Sequence, residues 1–148
     1  MNIVLTITRE DVFRSVARRM EWEGTRSPLE KDAYGRVAVS EADYSLLHSV
    51  FDEAAMLTID VCRPFLQSVV NSDEALILNM SISDSVGIEI QDSLQSAVFN
   101  MMSMYMLVQW MEIVCPDRVV RMQCRCEDSK SKVLAILYHH PAPVRRKV

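Results

Sequence analysis

Residues 97–115 read AVFNMMSMYMLVQWMEIVC, with five methionines within eleven consecutive positions. A stretch this apolar fits a membrane span, a buried helix, or a surface covered by another protein chain. A membrane span needs roughly 18–20 consecutive apolar residues, and Asn100, Gln109 and Glu112 interrupt this stretch at polar positions. We therefore predict a helix from about Glu89 to Val114 that does not cross a membrane.

This helix carries two neighbouring apolar stripes. The first consists of Leu94, Ala97, Val98, Met101, Tyr105 and Val108, and the second of Phe99, Met102, Met106, Trp110 and Ile113. A helix that is apolar nearly all round is either the central member of a bundle or is covered by a partner. Methionine is unbranched and adaptable, which suits surfaces that repack between free and assembled states. We predict that the second stripe forms a subunit interface.

The patterns on either side of this helix predict a mainly α fold. Apolar residues recur at three- and four-residue spacing in the helical segments, and they alternate in the strand that follows residues 71–74. The predicted elements are a strand at residues 2–7, a helix over Arg9–Glu23 with Thr8 as N-cap, a loop over residues 25–39, a helix launched by Ser40–Asp43 and interrupted at Pro64, a strand at residues 75–83, and a helix over Pro116–His139. We predict a bundle of about four helices with one or two short β-strands.

The length of 148 residues is that of one ordinary domain. With 49% apolar and 24% charged residues, the composition is typical of a globular chain. We predict a single helical domain over residues 1–139 and a basic C-terminal arm over residues 140–148. The N-terminus MNIVLTITRED has no basic leader followed by a long apolar run, which favours the cytosol of the cell that makes the protein.

Charge is distributed unevenly along the chain. Residues 1–40, 41–114 and 115–148 carry about +1, −10 and +5, and Arg63 is the single basic residue of the middle segment. Such segregation is useful when copies pack head to tail, because an acidic face of one subunit then meets a basic face of the next. The alternative is that the fold interleaves the segments and cancels the charges within one molecule.

The candidate catalytic and metal-binding residues do not form a convincing site. Cys124 and Cys126 are two apart, whereas structural zinc requires a C-x(2-4)-C pair on a turn. His48 lies within an amphipathic helix, which favours a structural histidine over a catalytic one, and the three glycines are too isolated for a phosphate-binding loop. We predict no metal, no cofactor, no enzymatic activity and four reduced cysteines.

The C-terminal residues HPAPVRRKV form a proline-punctuated basic arm. Three basic charges contact phosphate only weakly and in a salt-sensitive way, so we interpret the arm as a segment that docks on a neighbouring protein. A solvated terminus without a specific role is the alternative. The arm residues that we assign to docking are His140, Pro141, Pro143, Arg145, Arg146 and Lys147.

The order of these elements resembles small helical virion proteins of tailed phages and prophages, of the head-to-tail connector (adaptor) type. The segments that carry the resemblance are EADYSLLHSVFDEAAMLTIDVCRPF at 41–65, LILNMSI at 76–82, LVQWMEIVCP at 107–116 and LYHHPAPVRRK at 137–147. In that family the subunits form a ring under the portal, and a C-terminal arm reaches a neighbour or the portal. The sequence departs from the family in showing one strand where members often carry a hairpin.

The resemblance implies a non-enzymatic subunit of a homo-oligomeric ring that joins the portal to the tail. Its expected partners are other copies of itself, the portal, and tail or stopper proteins, and genome DNA would pass through the channel without sequence-specific binding. It implies location at the virion neck after synthesis in a bacterial host. Two alternatives stay open: a soluble bacterial helical-bundle protein that binds a small molecule or regulates a partner, and a small DNA-binding regulator.

Overall fold

A computed structural model describes residues 1–25, 44–82, 89–114 and 116–138. These residues form four helices and one small antiparallel sheet, so the predicted mainly α class is confirmed. The strands are β1 (Asn2–Thr8), β2 (Leu66–Asn71) and β3 (Ala75–Ser81), and the helices are α1 (Arg9–Thr25), α2 (Tyr44–Cys62), α3 (Ile90–Val114) and α4 (Val119–Leu137). The predicted loop at 25–39, the cap at Ser40–Asp43 and the arm at 140–148 lie wholly or almost wholly outside the described residues.

The sheet has the strand order β1-β3-β2, with both pairings antiparallel. Side chains alternate along β1, so that Ile3, Leu5 and Ile7 are buried while Val4 and Thr6 face outward. The strand predicted at residues 75–83 is the central one, and it pairs with the strand predicted at residues 2–7, which is β1. Three strands are therefore present among the described residues, where one or two were predicted.

The strand that the sequence did not reveal is β2. It follows a 3-10 turn over Arg63–Phe65, where Pro64 ends α2 as predicted. A register shift between Leu66 and Ser68 breaks the alternation that would mark a strand, and no residue of β2 is fully buried. Strands β2 and β3 form a hairpin whose turn is held by Ser72.

Helix α3 lies at the centre of the molecule and contacts α1, α2, α4 and β1. Its side chains are buried on every side between residues 101 and 108, except for the partly buried Tyr105. A helix that is apolar nearly all round is either the central member of a bundle or is covered by a partner. Here α3 is the central member of the bundle. None of the helices in the described ranges is long and apolar enough to cross a membrane.

The neighbouring helices bury one face each, as their periodicity predicts. Among the described side chains, the buried apolar ones of α1 are Val12, Val16 and Met20, and those of α4 are Val119, Met122, Val133 and Leu137. The start of α1 differs from the prediction in one respect. The Thr8 hydroxyl is buried and has no hydrogen-bond partner among the described residues, so its side chain does not cap the helix.

Candidate functional site

The predicted subunit interface on α3 is largely inside the single chain. Met102 and Met106 are fully buried, Trp110 is 5% exposed, and Phe99 is partly covered. These side chains fill the space between α3 and its neighbours, so they have little or no surface to offer another subunit. Of the five predicted interface residues, Ile113 is well exposed, at 62%. Ile113 and the exposed part of Phe99 are therefore the ones among the five that still offer surface to another subunit.

Arg9 is the most connected polar residue in the described part of the molecule. Its guanidinium is buried where α1, α2 and the β2–β3 turn meet, and its carbon centre lies 4.4 Å from the centroid of the Phe51 ring. Its Nε donates to the Ser72 carbonyl at 2.9 Å, and its Nη2 donates to Asp52 Oδ1 at 2.6 Å and to Asn71 Oδ1 at 3.0 Å. Because these donors are already engaged, Arg9 is a structural clamp rather than a free anion-binding group.

His48 is held by the same cluster. Arg9 Nη1 lies 3.1 Å from His48 Nδ1, and since a guanidinium has donors only, Nδ1 is on the acceptor side of this contact. The ring also packs edge-on against Phe13, with centroids 5.0 Å apart. His48 is thus a partnered structural residue, as its position in an amphipathic helix indicated.

A cleft of about 750 Å³ opens beside this cluster, between the start of α1, the start of α2 and the β2–β3 turn. Its lining includes Phe13 and Leu47 as apolar surface, and Glu10, Arg14, Asp73 and Glu74 as charged surface. The cleft lining also includes Thr8, whose hydroxyl is buried and has no hydrogen-bond partner among the described residues, and the three carboxylates of the lining are exposed. The mixed apolar and charged lining suits a polar molecule that also carries an apolar group.

The described cysteines differ in environment. Cys62 is buried at the end of α2, and desolvation raises the pKa of its thiol to about 12. Burial also raises the pKa of Cys126, with a further contribution from Glu127, while Cys124 is exposed. Among the described residues, no three histidine, cysteine or carboxylate groups lie close enough to hold a metal ion. Cys115, His139 and His140 lie outside the described residues.

Two polar surfaces are more informative than either the cleft or the thiols. On one side, Arg18 and Arg19 of α1 and Arg125 and Lys132 of α4 line two adjacent depressions that meet at Arg19. On the exposed face of α2 lie Asp52, Glu53, Met56 and Asp60. Sequence reasoning found the uneven charge but not these surfaces, because the packing of α1 and α4 against α3 is a tertiary feature.

The acidic surface continues towards α3. The Tyr105 hydroxyl lies 3.4 Å from Glu53 Oε2, and desolvation raises its pKa, with further contributions from the charges of Glu53, Cys126 and Glu112. Glu112 accepts a hydrogen bond from Gln123 Nε2 at 3.3 Å. Negative charge is therefore concentrated along the side of the bundle where α2 and α3 meet.

Comparisons with known proteins add no name to this geometry. No protein-family model, curated protein or solved structure matches the chain.

Proposed function

We propose that this chain is a non-enzymatic virion protein, a head-to-tail connector (adaptor) subunit that forms a homo-oligomeric ring between the portal and the tail of a bacteriophage. The proposal rests on the order of elements that resembles this class. The β2–β3 hairpin supports it further, because members of the class often carry a hairpin at this place. Portal binding, the ring and the virion location are parts of the same proposal.

The observation that carries the proposal is that opposite charges lie on separate surfaces. Among the described residues three ion pairs are present, and two of them, Arg14–Glu10 and Arg63–Asp60, join residues three or four positions apart. The third is the clamp between Arg9 and Asp52. The described basic side chains of α4 therefore pair with no described carboxylate of α2. Separate surfaces of opposite sign favour association between copies over cancellation within one molecule.

The burial of the second stripe changes where the ring contacts are expected. A ring subunit must meet two neighbours, and the remaining candidate surfaces are polar ones with a few exposed apolar residues. Ile113 and Val120, at the turn between α3 and α4, are 62% and 71% exposed. The expected acidic channel surface, along which DNA slides without binding, has candidates in the exposed Asp73 and Glu74.

Native mass spectrometry of the purified protein tests the proposal, both alone and mixed with the portal protein encoded by the same genome. We expect a discrete high-order oligomer in at least one of these two samples. A chain that stays monomeric at high concentration in both would contradict the function. Gene neighbourhood gives an independent check, since portal, capsid and tail genes beside this one are expected and metabolic genes would count against it.

A second function is favoured by one observation, the cleft of about 750 Å³ beside Arg9 and His48. Its size falls within the range of small-molecule sites, which fits the alternative of a bacterial helical-bundle protein with a small ligand. Thermal-shift screening with polar metabolites tests this, since a ligand that binds only the folded chain raises the melting temperature further as its concentration rises above its dissociation constant. Replacing Phe13 with alanine, checked for its own effect on folding, should abolish that ligand-dependent rise.

A further inference from the structure

Two depressions, one between α1 and α3 and one bordered by α1, α3 and α4, form one positively charged surface, which we name the basic groove and define by Arg18, Arg19, Arg125 and Lys132. The depressions have volumes of about 420 and 260 Å³. Five basic and two acidic side chains line them, which gives a net charge of +3. The groove therefore suits an acidic partner.

The basic groove has little internal compensation among the described residues. Arg19 Nη1 donates to the sulfur of Met104 at 2.8 Å, and a thioether is a weak acceptor. Arg18, Arg125 and Lys132 have no ion pair with a described carboxylate. Guanidinium and ammonium groups without carboxylates are available for charge-assisted hydrogen bonds with another molecule.

The exposed face of α2 has the opposite character, and we name it the acidic ridge, defined by Glu53, Met56 and Asp60. Asp60 pairs with Arg63 just beyond the helix, but this pair is exposed at the surface and such pairs are weak, so the carboxylate can still meet a partner. The three ridge residues are spaced by three and four positions, so they stand on one side of the helix. Met56 is 57% exposed, which is unusual for a large apolar side chain between two carboxylates. The ridge combines negative charge with one adaptable apolar side chain, which is a suitable composition for a contact that excludes water at its centre.

The shapes and positions of the two surfaces are compatible with contact between copies. Ala97 and Met104 contribute apolar surface to the smaller depression, which offers space for an apolar side chain between Arg19, Arg125 and Lys132. The described lining of the groove comes from α1, α3 and α4 and contains no residue of α2. A patch that meets a different patch on the next subunit makes a head-to-tail contact, and such contacts close into rings when the rotation allows.

We propose that the basic groove of one subunit receives the acidic ridge of a second copy, with Met56 entering the depression beside Ala97 and Met104. This inference rests on the proposed ring function and adds the two surfaces that build it. Glu53 and Asp60 then face the groove cations from both sides of the inserted methionine. Because the contact is largely electrostatic, it weakens as salt is added.

Charge reversal tests the contact. The ridge variant carries Glu53→Lys and Asp60→Lys, and the groove variant carries Arg125→Glu and Lys132→Glu. We expect each variant alone to lose assembly by native mass spectrometry, because each places like charges across the contact. The chain that carries all four substitutions should assemble again, because its ridge is then basic and its groove acidic. Met56→Lys should block assembly in the wild-type background, because it brings a like charge into the basic groove.

Two matched controls use residues outside both surfaces. Glu127→Lys and Lys130→Glu make the same charge changes on α4 without touching the groove lining, and both should assemble like the wild type. Circular-dichroism melts identify any variant that fails to fold, and the fourfold variant keeps the test decisive because it must regain assembly. A gel shift with random duplex DNA at low salt is run alongside, and we expect no retention that depends on Arg125 and Lys132.

The outcomes separate this inference from the function on which it rests. If the wild type assembles and the ridge and groove variants assemble equally well, the contact is wrong while the ring function stands. If the wild type is monomeric both alone and with its portal, the function fails and the contact with it. DNA retention that is lost in the groove variant, with assembly unchanged, assigns the groove to nucleic acid and overturns the contact.

Discussion

The guanidinium of Arg9 joins three parts of the chain that are distant in sequence. It reaches Asp52 on α2 and Asn71 and Ser72 at the end of β2, while its backbone N–H donates to the Glu74 carbonyl at 2.9 Å. A buried arginine is tolerated only when its donors are satisfied, since burying an unpaired charge is costly. Asn71 also donates to Asp52 Oδ1, so the acceptors are themselves held in place.

Replacing Arg9 with alanine should lower the free energy of unfolding by about 2–4 kcal/mol, because it removes several charge-assisted hydrogen bonds and the packing on Phe51. Urea denaturation followed by circular dichroism measures this. Arg14→Ala is the matched control. Arg14 pairs with Glu10 at the exposed surface, so its loss should change stability by no more than about 0.5 kcal/mol. Equal effects of the two substitutions would contradict the role of Arg9 as a clamp.

The Cys62 thiol gives a prediction on alkaline stability. Its pKa is raised to about 12 in the folded chain from an ordinary value of 9.0, because burial disfavours the thiolate. Its contribution to stability is therefore complete below pH 9 and is lost as the pH rises from 9 towards 12, where the unfolded chain ionises first. We expect the free energy of unfolding to fall over this window.

Cys62→Ala should make that fall less steep, although the cavity it leaves lowers stability at every pH. Urea titrations at pH 8, 9 and 10 compare the two slopes. Cys124→Ala serves as the control because Cys124 is exposed, and it should leave the slope unchanged. Iodoacetamide labelling at pH 8 with peptide mapping adds a second readout, in which Cys124 reacts in the folded chain and Cys62 only after unfolding. Rapid labelling of Cys62 in the folded chain would contradict its burial.

Among the elements, the edge strand β1 is covered by side chains rather than by another strand. Gln95 on α3 accepts from the Thr6 backbone N–H at 3.1 Å and donates to the Thr6 carbonyl at 2.5 Å. One helical turn earlier, Gln91 Nε2 donates to the Val4 carbonyl at 3.2 Å. Exposed strand edges invite pairing with other chains, so this glutamine pair protects the edge that faces α3.

Gln95→Ala should therefore lower stability by about 1 kcal/mol and make the Thr6 amide proton exchange with solvent faster. Hydrogen exchange followed by nuclear magnetic resonance measures the second effect directly. Gln123→Ala makes the same change on the exposed surface of α4, where the side chain contacts Glu112, and it should leave the Thr6 amide unaffected. An unchanged exchange rate at Thr6 in the Gln95 variant would show that the edge is protected by something else.

The limits of sequence reasoning differ between elements for physical reasons. Helices α1 and α4 were predictable because each buries one stripe, and β3 was predictable because Leu76, Leu78 and Met80 alternate with less buried residues. Strand β2 was missed because its register shift removes the alternation. The Arg9 clamp and the two charged surfaces could not be predicted, since each depends on residues brought together by the packing of several elements.

At the scale of the whole molecule, the methionine-rich helix α3 is the core around which the other elements pack. Its fully buried methionines are Met101, Met102, Met106 and Met111. The most apolar segment of the chain is therefore covered by other elements of the same chain. Association between copies must then use the outer surfaces, which are mostly charged. An assembly built on such contacts should weaken between low and high salt, unlike one built on a buried apolar stripe.

The C-terminal arm gives the last prediction, which concerns the molecule and its neighbour together. Under the connector proposal the arm docks on a neighbouring protein and not on its own domain, so removing residues 140–148 should leave the melting temperature unchanged. In the same proposal the neighbouring protein is the portal, so the deletion should abolish capture of the portal protein in a pull-down. Replacing only Arg145, Arg146 and Lys147 with serine keeps the length of the arm. This variant therefore tests the contribution of the basic charges separately from that of the arm's length. We expect this variant to bind the portal more weakly, with the deficit largest at low salt, where wild-type electrostatic attraction is strongest. A lowered melting temperature after deletion would instead make the arm part of the fold, and unimpaired capture would remove it as the docking element.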